Sequence, residues 1–72
     1  MGTKHLSQHQ GLILKYLEIK PEMTTRELAE TIFGRIVEYK SPEYSSISRS
    51  LKSLERQGLV RRVEVKLRWR LK

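Results

Sequence analysis

Apolar residues recur at helical spacing in three stretches of the chain and then switch to strict alternation near its end. Ser7 with Gln10 three residues on forms a capping box. The stretch GLILKYLEI carries the pattern to Ile19, just before Pro21, so a first helix is expected over Ser7–Ile19. On that helix Leu6, Ile13 and Leu17 share one face with Tyr16 beside them, Leu12 and Ile19 form a flank, and Leu14 lies on the other side. This apolar arc is wider than one packing contact requires. It implies either deeper burial in a very small domain or contact of Leu12, Ile19 or Leu14 with a second subunit.

Thr24 and Glu27 form a second capping box, and Gly34 is a natural stop, which predicts a helix over Thr25–Phe33 with Leu28, Ala29 and Ile32 inward. Ile36, Val37 and Tyr39 could extend that helix through Gly34, but a loop over Arg35–Glu43 is the preferred reading. Ser41 and Pro42 resemble an N-cap and first-turn pair, so a third helix begins between Pro42 and Ser46 and ends at Gln57, with Gly58 just past its end. From Leu59 the period becomes two. Val63, Val65, Leu67, Trp69 and Leu71 alternate with charged residues, and the run Val60-Arg61-Arg62-Val63 breaks the alternation. Two strands are expected, Leu59–Val63 and Leu67–Leu71, with a turn near Glu64–Lys66.

Seventy-two residues make one domain, residues 1–72, close to the size at which a hydrophobic core alone barely suffices. No apolar run is long enough to cross a bilayer and no signal-peptide pattern is present, so a soluble, cytoplasmic protein is expected. The absence of cysteine excludes disulfides and thiolate zinc sites. Asparagine and aspartate are also missing, and 32% of residues are charged, a usage in line with thermophile proteins.

Charge changes the picture most. Residues 1–44 hold six basic residues and six glutamates, whereas residues 45–72 hold nine basic residues against Glu55 and Glu64. The whole net charge of +7 therefore belongs to the C-terminal 28 residues. A field concentrated in this way attracts a polyanion, of which nucleic acid is the commonest inside cells.

The third helix carries much of that charge. Tyr44, Ile47, Leu51 and Leu54 form its core stripe, while Ser45, Arg49, Lys52, Ser53 and Arg56 lie on the far side. Serine is a mediocre helix former, but its small side chain lets a backbone approach phosphates, and arginine reaches a guanine edge through a two-pronged hydrogen bond. A merely solvated face would mix glutamate with lysine, and only Glu55 is available here.

The blocks LSQHQGLILKYL, TTRELAETIFG and SSISRSLKSLERQGLVRR, followed by a basic hairpin, resemble the winged helix-turn-helix family of DNA-binding domains over Leu6–Leu71. The resemblance implies an α+β fold: a three-helix core followed by a two-stranded hairpin, the wing. It also implies that the third helix enters the major groove, with Ser45, Ser46, Ser48, Arg49, Lys52 and Ser53 facing it. Thr25 and Arg26 would contact phosphate, and Arg61, Arg62, Lys66 and Arg68 would be wing contacts. The connection Arg35–Glu43 is longer than the tight turn of the simplest members, and the wing is short.

Other chemistry is poorly provided for. His5 and His9 have the spacing of a metal pair but no third ligand nearby, and the serines have no evident histidine partner. Trp69 is in phase with Leu67 and Leu71 and is expected in the core, while Tyr39 and Tyr44 divide between core edge and phosphate contact. The expectation is a non-enzymatic, sequence-specific binder of double-stranded DNA. It would act as a transcriptional regulator and homodimer, with no cofactor, metal, membrane or small-molecule effector. The alternative is a winged-helix protein-interaction module or an RNA-binding adaptor.

Overall fold

A computed structural model describes residues 7–63 and 68–72. Its helices are α1 (Gln8–Ile19), α2 (Thr25–Phe33) and α3 (Pro42–Arg56), and its strands β1 (Met23–Thr24), β2 (Val60–Val63) and β3 (Arg68–Leu71). The fold is α+β, with the strands in one antiparallel sheet ordered β1-β3-β2. Leu6, His5, the expected turn at Glu64–Lys66, and Leu67 lie outside the described residues.

Local chemistry sets the helix ends. The Gln10 amide donates to Ser7 Oγ at 3.1 Å while the Ser7 amide donates to Gln10 Oε1 at 3.2 Å. Thr24 and Glu27 exchange the same pair of bonds at 3.0 and 2.9 Å. Gly34 closes α2 with φ 72°, a left-handed conformation that cannot continue a helix. Ser41 caps α3, accepting from the Tyr44 amide, with Pro42 in the first turn. At the other end Gly58 takes φ 79°, and the amides of Gly58 and Leu59 reach back to the carbonyls of Glu55 and Leu54, both at 3.0 Å.

The core lies between the three helices and one face of the sheet. Ile13 and Leu17 of α1, Leu28 and Ala29 of α2, and Ile47, Leu51 and Leu54 of α3 meet Met23, Val60 and Trp69. Val37 joins them from the α2–α3 connection, which is indeed a loop. Its amide donates to Glu30 Oε2 at 3.2 Å, Arg35 forms an ion pair with Glu43, and Lys40 adopts φ 68°.

Two expectations are corrected here. The sheet has three strands rather than two, because Met23 and Thr24 pair with Trp69 and Arg68. A two-residue strand has no periodicity to read, and its pairing is with residues 44 or more positions away. Leu14, expected opposite the core face of α1, is half-buried against the core with Tyr16, which accounts for part of the broad apolar arc. Ile19, at the end of the helix, is left 70% exposed.

The register explains the break in alternation. Val60 lies opposite Leu71 and Arg62 opposite Trp69, which by the pleat puts these four on the face toward the helices. Arg61 opposite Arg70 and Val63 opposite Arg68 belong to the outer face. Arg62 thus occupies an inward position at the edge of the core.

Candidate nucleic-acid interface

Helix α3 buries one stripe and turns Arg49, Lys52 and Arg56 to solvent, with Ser45 and Ser48 half-buried beside them. Among the described residues the ion pairs are Arg26 with Glu30 at 3.3 Å, Arg35 with Glu43, and Arg70 with Glu22 at 3.6 Å. The cations of α3 and Arg62 therefore have no carboxylate partner within that set, and their charge is available to an external anion.

One side of α3 opens onto a concavity of about 630 Å³, where the start of α2, the α2–α3 connection and the inner face of the sheet converge. Arg26, Lys52 and Arg62 supply its cations, Thr24, Thr25 and Ser48 its hydroxyls, and Tyr39, Tyr44 and Trp69 its rings. No acidic residue lines it. The antiparallel pairing of β1 with β3 brings Trp69 beside the first turn of α2, where its indole N–H donates to Thr25 Oγ1 at 3.0 Å. The Arg62 guanidinium sits over the indole, 4.9 Å from the ring centroid, a cation–π contact that positions a charge without neutralising it. On the opposite wall Tyr39 and Tyr44 meet edge to face at 5.0 Å, and the Lys40 ammonium lies 5.6 Å from the Tyr39 ring.

Of the residues singled out from sequence, the fold brings Thr25, Arg26, Ser48, Lys52 and Arg62 around this concavity. Ser45, Arg49 and Arg56 continue around the exposed side of α3. Ser46 does not join them. Its hydroxyl lies 3.2 Å from His9 Nδ1 of α1, because the residue before Ile47 falls on the flank that packs against that helix. Ser53, seven residues later, shares this flank, and its hydroxyl accepts from Gln57 Nε2 at 3.3 Å. Arg61 and Arg68 are on the outer face of the sheet, away from Arg62, and Lys66 lies outside the described residues.

His9 also meets Phe33 edge to face at 5.3 Å, so it ties α1 to α2 and α3. No cluster of metal-ligating side chains occurs among the described residues. Trp69 is buried, as its phase in the strand implies, yet one edge still reaches the concavity. Tyr44 packs against the core, as its place in the apolar stripe of α3 implies, while its partner Tyr39 is a lining residue that the sequence pattern does not place. The signal for Tyr39 is its position before the Ser41-Pro42 cap, which brings its ring to the entry of α3 beside Tyr44. Compared with known proteins, the chain matches no family model, no curated protein and no solved structure.

Proposed function

We propose that this chain is a winged helix-turn-helix protein that binds double-stranded DNA with sequence preference and regulates transcription. In this proposal α3 lies in the major groove, with Arg49 and Arg56 toward the bases, and Arg26, Lys52 and Arg62 take phosphates on one side of it. The observation that carries the proposal is the series of exposed cations without carboxylate partners among the described residues, Arg49, Lys52 and Arg56 on α3 with Arg62 lining the same concavity as Lys52. Such a series costs free energy through self-repulsion unless a polyanion relieves it. Division of labour follows, with phosphate contacts giving affinity and base contacts giving sequence preference.

A salt series with a short duplex is the test. Each phosphate contact contributes about −0.9 to the slope of log affinity against log salt, so a steep slope is expected. Salt-insensitive binding, or none to any duplex, would remove the proposal. Two copies acting together belong to the same reading, since one such module buries only about 600–1,000 Å² on DNA. The exposed end of α1 at Ile19 is the pairing surface proposed. Sedimentation should show a dimer that Ile19→Glu converts to a monomer, and a monomeric wild-type protein with and without duplex would refute that part alone.

A further inference from the structure

We infer that Tyr39 is a stacking platform for one unpaired nucleotide, whose phosphate is taken by Lys52 and Arg62 across the concavity. This rests on the duplex-binding proposal and adds a substrate feature to it: an extrahelical or single-stranded nucleotide adjoining the bound duplex. Tyr39 is 66% exposed, whereas Tyr16, Phe33, Tyr44 and Trp69 are all half-buried or buried. Its ring is nonetheless held in place by the edge contact with Tyr44, so a planar group meeting it pays little to order it.

The lining of the concavity specifies the ligand. Two cations with no carboxylate partner among the described residues, three threonine and serine hydroxyls and no acid call for an anion, and an oriented, exposed ring calls for a second planar ring. A nucleotide combines both. The volume of about 630 Å³ falls within the usual range of small-ligand sites, about 300–1,000 Å³. A continuous duplex keeps its bases stacked and can offer phosphates to the rim, but no ring to Tyr39. Trp69 is not the platform, because it is 5% exposed. The Lys40 ammonium stands over the Tyr39 ring, at 5.6 Å, but leaves that residue 66% exposed, so a base would stack on the face away from Lys40.

The test compares a continuous duplex with the same duplex carrying one extrahelical 2-aminopurine nucleotide. Base–aromatic stacking predicts about tenfold tighter binding of the second, with 2-aminopurine fluorescence quenched on binding. Tyr39→Ala should remove the preference and the quench, whereas Tyr39→Phe, which keeps the ring, should retain both. Equal affinity of the wild-type protein for the two duplexes without quenching would overturn this inference and leave the duplex proposal standing. Retention of the preference by Tyr39→Ala would also overturn it, since the greater flexibility of the interrupted duplex would then be the cause. Failure to bind either duplex would overturn both proposals. Thymidine monophosphate at millimolar concentration should not displace the interrupted duplex; displacement would make a free nucleotide the occupant and refute the strand-borne one.

Discussion

Arg61 and Arg62 are neighbours in sequence and in one strand, yet they serve opposite sides of the sheet. On the inner side Arg62 continues a column of Val60, Trp69 and Leu71, and its guanidinium is laid over an indole. On the outer side Arg61 faces Arg70 directly, a like-charge pair that is unfavourable in a sheet, and Glu22 relieves it by pairing with Arg70 at 3.6 Å. A charge excess confined to one part of the sequence is thus divided between two surfaces in the fold. Only the inner one adjoins α3.

The largest test of this contrast is Trp69→Ala beside Arg68→Ala. Removing the buried indole should cost about 3–5 kcal/mol in chemical denaturation, whereas the outer-face arginine next to it should change stability by no more than about 0.5 kcal/mol. Similar losses from both would show that the two faces are not distinct. Next comes Arg49→Ala, measured against a panel of single-base duplex variants. Sequence preference at one position should fall by about 1–3 kcal/mol, if its fork is paired with guanine. A uniform loss on cognate and scrambled duplexes would remove α3 as the reader. The smallest effect sharpens the contrast most: Arg62→Ala should make the salt slope shallower by about 0.9, and Arg61→Ala should leave it unchanged.

What was legible in the sequence was the chemistry that acts over three or four residues. The Ser7–Gln10 and Thr24–Glu27 boxes, Gly34, the Ser41-Pro42 start and Gly58 each set a boundary, because a side chain or a left-handed glycine satisfies backbone groups close by. Strand β1 was not legible, since its partners are distant and its two residues carry no pattern. The break at Arg61-Arg62 could be seen, but its meaning required the register. Helix periodicity likewise placed Arg49, Lys52 and Arg56 outward, while it could not tell that α1 would claim the flank bearing Ser46.

A single oxygen atom joins the first turn of α2 to the α2–α3 connection. Glu30 Oε2 receives both Arg26 Nε at 3.3 Å and the Val37 amide at 3.2 Å. The connection that leads to Tyr39 is thus anchored to the same carboxylate that holds Arg26 on the first turn of α2. Removing that one carboxylate would release both walls of the concavity at once, although Glu30 itself does not line it.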